Sequence, residues 1–196
     1  MTVVANEIPE VIVEQSRLDA IIPEICDQPT YAVDTEFHRE RTYYPKVALV
    51  QVNWGAGMAL IDPLAVSLEP LAEVLAGPGL AIMHASSQDL EVLVRSCDTL
   101  PTRLFDTQIA AGFTGLRSPS LASLHDRLLG IRLPKGDRLT DWLRRPLGDT
   151  QLEYAASDVR HLLEIHRLLE TDLAARGRLT WAEDECRDML QRGRTQ

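Results

Sequence analysis

Two carboxylates stand one residue apart in the segment Tyr31-Ala32-Val33-Asp34-Thr35-Glu36-Phe37. The segment is otherwise apolar and reads as a strand, in which alternate side chains share a face. Tyr31, Val33, Thr35 and Phe37 project to one side, and Ala32, Asp34 and Glu36 to the other. Neighbouring like charges repel, and burial makes the repulsion costly. A divalent cation reverses that cost, because hard cations take oxygen ligands. An edge strand with two solvated acids is the alternative.

A third acid, Asp89, follows Ser86 at the spacing of a capping box, and an acid in a first helical turn suits the helix dipole. Asp89 also flanks the apolar stripe of Leu90, Leu93 and Cys97, so it can cap and still face a sheet. A fourth, Asp158, falls in the apolar sector of a helix marked by Leu152, Ala155, Ala156, Val159 and Leu162. Tyr154 lies one turn earlier on the same side. A Tyr–Asp hydrogen bond at a helix flank is the structural reading, and a shared site is the functional one. His166, in the same sector, is expected to be a satisfied core histidine.

The elements that must position these groups alternate first and turn helical later. Strands are expected at Glu10–Val13, Tyr31–Phe37, Lys46–Trp54, Met58–Asp62, Leu80–Ala85 and near Leu104–Thr107. Lys46–Trp54 is apolar on both faces and so central. Helices are expected from an N-cap at Ser16 to about Asp27, over Leu68–Ala76, and from Ser86 or Ser87 to Cys97. Further helices cover Thr107–Phe113, Ser120–Leu129, Thr140–Leu143, one long span from Thr150 to Ala175, and Thr180–Leu190. Gly130–Leu139 reads as a loop and the tail Arg192-Gly193-Arg194-Thr195-Gln196 as disordered. The order predicts an α/β domain with a mixed sheet and a helical C-terminal part.

The chain has 196 residues, 45% hydrophobic and 25% charged, which fits one globular domain. Twenty basic against 29 acidic residues give a net charge of −9, which argues against electrostatic coating of nucleic acid. The stretch from Arg117 to Arg145 is an exception, with seven basic and three acidic residues. It reads as a positive island or as ordinary solvated surface. Cys26, Cys97 and Cys186 lie far apart without zinc-type spacing, so reduced thiols and a cytoplasmic location are expected. No apolar stretch approaches a membrane span.

In order, the acids resemble the pattern of DEDD-type 3′–5′ exonucleases, in the subgroup with Tyr before the last Asp. The blocks VDTEFHRERTYYPKVALVQV, HASSQDLEVL, FDTQIAAGF, SLASLHDRLLGI, TDWLRRPL and YAASDVRHLLEIH are similar to successive blocks of the ribonuclease D family, from about Tyr31 to Leu169. The resemblance implies an RNase H-like fold, with residues 1–196 read as a single exonuclease domain; the helical HRDC domains that many ribonuclease D proteins carry after it are not expected here, which is a departure from the family pattern. It implies hydrolysis of RNA from the 3′ end to nucleoside 5′-monophosphates with two divalent cations, magnesium or manganese. Asp34, Glu36 and Asp158 would hold one ion, Asp34 and Asp89 the other, and Tyr154 would orient the attacking water. Thr35, Phe37, His84 and Gln108 are candidate contacts to the terminal nucleotide, with Lys135, Arg138, Arg144 and Arg145 further back along the strand. Single-stranded DNA as substrate, or a non-catalytic binding module on the same fold, are the alternatives. No membrane partner is expected, and the oligomeric state is not legible.

Overall fold

Six short apolar runs pair into one mixed sheet. A computed structural model describes residues 7–39, 44–133 and 140–194. The strands are β1 (Glu10–Ile12), β2 (Thr30–His38), β3 (Lys46–Asn53), β4 (Met58–Ile61), β5 (Leu80–Met83) and β6 (Arg103–Asp106), in the order β1-β4-β3-β2-β5-β6. β2, β3 and β4 form an antiparallel meander. β1 joins β4 in parallel, and β5 and β6 add to β2 in parallel. β3 is central as its apolar run predicts, with Ala48, Leu49 and Val50 fully buried.

One face of the sheet, carrying Tyr31, Val33, Val50, Val52 and Met83, packs against α1 (Gln15–Cys26), α2 (Leu71–Ala76), α3 (Ser87–Cys97) and α8 (Leu179–Arg194). The other face receives α4 (Thr107–Phe113), α5 (Leu121–Leu124), α6 (Asp149–Arg160) and α7 (Leu162–Ala175). Small side chains on α6, Ala155 and Ala156, let that helix lie close over Ala48, Leu49 and Leu60.

Several elements depart from the sequence pattern. The long helix expected from Thr150 to Ala175 breaks at His161, whose φ of −111° leaves the helical region. Asn53 explains the break: its Nδ2 donates to Val159 O and Arg160 O at 3.1 and 3.0 Å, giving the last carbonyls of α6 a partner outside the helix. Thr140–Leu143 forms turns rather than a helix. Ser120–Leu129 divides into α5 and a π-helical turn, His125–Leu129. Glu14 rather than Ser16 occupies the N-cap of α1. α2 starts only at Leu71, where Pro70 can stand before the first turn without losing a needed N–H. α8 runs to Arg194 and takes in most of the expected disordered tail. Residues 134–139 of the expected loop lie outside the described residues.

A β-bulge marks the middle of the sheet. Glu36 pairs with Leu49 but Phe37 with Val47, which leaves Ala48 as the extra residue on β3. Arg145 fills the disrupted ladder, donating from Nη2 to Ala48 O at 2.7 Å. Among the described residues no helix is long and apolar enough to cross a membrane.

Candidate active site

β2, α3 and α6 meet at four carboxylates. Asp34 and Glu36 face α6 from β2, and Asp158 comes from α6 itself. One carboxylate oxygen from each of these three lies within 4.8 Å of the others. Asp89, buried in the first turn of α3, approaches from the far side of β2. Thr35 secures it: the hydroxyl donates to Asp89 Oδ1 at 2.6 Å and the backbone N–H to the same oxygen at 3.2 Å. The capping reading of Asp89 yields to this contact, since Ser86 makes no side-chain cap to α3. Ser86 Oγ instead donates to Asp106 Oδ2 at 2.8 Å.

The cluster is electrostatically strained without a counter-charge. Burial, and then the charges of Asp89, Asp158 and Glu36, hold the Asp34 carboxyl well above the usual range, against one backbone N–H of Thr35. Burial and the charges of Asp158 and Asp89 push Glu36 up to about 8. Burial, with the charge of Asp89, pushes Asp158 up to about 7. Asp89 rises only to about 6, because the donors from Thr35 offset part of its burial. Among the described residues no cationic side chain enters this balance for any of the four. An all-oxygen, multiply charged donor set is what magnesium or manganese takes, so the residues present fit such ions.

The support around the acids was only partly visible in the sequence. Asp106 is fully buried and takes bonds from Ala85 N, Ser86 N, Ser86 Oγ, Gln108 N and Ile109 N, at 2.8 to 3.2 Å. It thereby ties the turn leading into α3 to the start of α4; an Asp immediately before a helix is an N-cap signal that could have found it. Arg145 was a candidate substrate contact. The structure instead seats its guanidinium on Asp62, at 2.6 and 2.7 Å, and on the carbonyls of Trp142 and Ala48. The Trp142 ring lies 6.2 Å from that of Tyr154, which is half-buried one turn before Asp158. Nothing in the sequence links Asp62 to Arg145, or Asn53 to the end of α6.

The expected nucleotide contacts come from three places: Thr35 and Phe37 on β2, His84 just after β5, and Gln108 in α4. Thr35 is buried and its hydroxyl belongs to Asp89. Phe37 is half-buried at the bulge. His84 follows β5 and has Nδ1 2.9 Å from Thr107 Oγ1; burial, ahead of nearby charges, lowers its pKa. Gln108 donates from Nε2 to Pro119 O at 3.1 Å. His166 is buried as expected, but its Nε2 has no partner among the described residues, and its ring sits edge-on to Phe105 at 4.5 Å. Arg144 is exposed, while Lys135 and Arg138 lie outside the described residues.

A family model described as 3′–5′ exonuclease matches residues 9–174. The chain is 43% identical over 181 residues to ribonuclease D of Escherichia coli (strain K12), covering 89% of this chain and 48% of that protein. The crystal structure of Escherichia coli RNase D, described as an exoribonuclease involved in structured RNA processing, superposes with a TM-score of 0.91 at 41% identity, covering 94% of this chain and 50% of that one. Brucella melitensis NrnC with bound Mg2+ superposes with a TM-score of 0.76 at 27% identity, covering 88% and 87%. The chain thus spans about half the length of the ribonuclease D relatives it matches.

Proposed function

The chain belongs to the 3′–5′ exonuclease family, and from that premise we propose that it is a metal-dependent exoribonuclease that trims RNA from the 3′ end to nucleoside 5′-monophosphates. The observation that carries this reading is the meeting of Asp34, Glu36 and Asp158 within 4.8 Å, with Asp89 behind them and, among the described residues, no cationic side chain to offset the charge. The similarity to ribonuclease D favours RNA over single-stranded DNA as substrate. The Mg2+ held by the Brucella relative supports magnesium, with manganese as its usual substitute in oxygen sites.

Asp34, Glu36 and Asp158 would hold one ion, and Asp34 with Asp89 would hold a second. When bound, such ions supply Lewis-acid activation of water and neutralise the charge on the departing oxygen. The chain's own residues do the rest. Thr35 keeps Asp89 turned toward β2. Asn53 fixes the end of α6 and with it the height of Asp158. Tyr154 orients the attacking water by hydrogen bonding through its phenol. Phe37 stacks on the terminal base, His84 and Gln108 line the ribose side, and Lys135 and Arg138 receive the strand further back. Residues 1–196 act as one exonuclease domain with its core at 31–169. The three free thiols favour a cytoplasmic location.

Matched RNA and DNA oligonucleotides labelled at the 5′ end test the reading. The expected result is a ladder shortening by one nucleotide at a time with Mg2+ or Mn2+, faster on RNA, and abolished by EDTA. Intact RNA with either metal, together with tight binding of it, would make the chain a binding module.

A further inference from the structure

Beside the acid cluster lies an amide with no partner. Gln51 of β3 is fully buried, and among the described residues neither its Oε1 nor its Nε2 finds a hydrogen-bond partner. The register of β2 and β3 sets it directly opposite Asp34. Opposed residues of an antiparallel pair point to the same face, with Cβ atoms about 5 Å apart. That face is the one that receives α6: two residues along β3, Asn53 points the same way and bonds the end of that helix.

Two unpaired polar atoms in a central strand are expensive. Each forfeits the hydration it had in the unfolded chain, and an aliphatic side chain of the same size would forfeit neither. Asn53 satisfies its amide completely, with two carbonyls below Nδ2 and the Gly55 N–H on Oδ1 at 2.9 Å. The burial of Gln51 therefore needs a partner that arrives later. Asp34, directly opposite in register, has capacity to spare, because a carboxylate offers about four lone-pair sites and an ion takes only some of them.

We propose that Gln51 is a positioning residue for Asp34, donating from Nε2 to the Asp34 carboxylate when a divalent cation holds it, and so fixing the orientation of that ligand. The proposal rests on the metal-site reading above, since it needs Asp34 to be a ligand. Groups that orient metal ligands in this way are worth roughly 10- to 100-fold in affinity.

The test compares wild type with Gln51→Met, which keeps the length and apolar volume and removes both orphaned atoms. Mn2+ binding is read by calorimetry, and the metal-free melt is read in EDTA. The expected result is a melt at or above that of wild type, with a Mn2+ Kd weaker by at least about 10-fold. Equal Kd values overturn the proposal. So does a lower melt in EDTA, because the amide would then be serving the fold alone. A wild type that binds no Mn2+ removes the metal-site reading itself, and this proposal with it. Should Gln51→Met fail to fold, side-chain amide resonances of wild type labelled at glutamine nitrogen decide the matter. A downfield shift of one Gln51 amide proton on adding Mg2+ supports the bond, and an unmoved resonance overturns it.

Discussion

Asp62 and Asp34 are both acids on or beside the central strands, and the fold treats them in opposite ways. Burial pushes Asp62 up, but the guanidinium of Arg145 and the Leu64 N–H outweigh it and leave the carboxyl below its usual range. Asp106 is likewise met by five donors. Asp34 has three acids for neighbours and a single N–H working in its favour. This chain therefore supplies partners for buried carboxylates where they serve the fold. Where it withholds them, the balancing charge must come from outside, which is the physical signature of a site rather than of a core.

The sharpest way to break that contrast is Asp34→Asn. It removes a proposed metal ligand, so hydrolysis of a labelled RNA should fall by about 10³-fold or more, on the scale of several kcal/mol for lost metal stabilisation of the transition state. The same change relieves repulsion, so the melting temperature in EDTA near pH 8 should rise. Loss of activity with a lower melt would mean that Asp34 serves the fold, as Asp62 does.

Arg145→Ala probes the other side. It strands Asp62 and frees the Ala48 and Trp142 carbonyls. The expected loss is about 2–3 kcal/mol in urea unfolding, less than for a fully buried pair because the Arg145 side chain stays 26% exposed. Mn2+ affinity should change little. If affinity collapses while stability holds, the clasp belongs to the site and the contrast is wrong.

What the sequence disclosed follows the same division. Asp34, Glu36 and Asp158, which the fold brings together, were legible because a carboxylate in an apolar period is conspicuous, on a strand as on a helix. The strands and most helices were legible for the same reason. The clasp was hidden, because Asp62 and Arg145 are ordinary polar residues that only tertiary approach turns into partners. Arg145 was accordingly misplaced among surface cations. The break at His161 was hidden too: helical periodicity runs straight through it, and only Asn53, distant in sequence, interrupts the carbonyl ladder. Thr35 looked like a group beside the substrate, because a strand pattern gives the face of a side chain but not the acid waiting on that face.

Proton uptake offers the gentlest test of the comparison. Glu36 and Asp158 have folded values near 8 and 7, above their ordinary 4.5 and 3.8. The native state then binds more protons than the unfolded chain between those limits, so its stability falls as pH rises through them. Burial lowers His84, His125, His161 and His166 below 6.5, which has the opposite sign but acts only on the acid side of that value. Asp62, already ionised, is silent above its ordinary 3.8. The window from about pH 6.5 to 8 therefore isolates the cluster. In EDTA the melting temperature should drop by a few degrees across it, at about 3 °C per kcal/mol for a chain of this size. Saturating Mg2+ should flatten the drop, since an ion favours the ionised acids that the empty cluster penalises. A melt in EDTA that climbs through this window would mean that the four acids already have their partners within the chain.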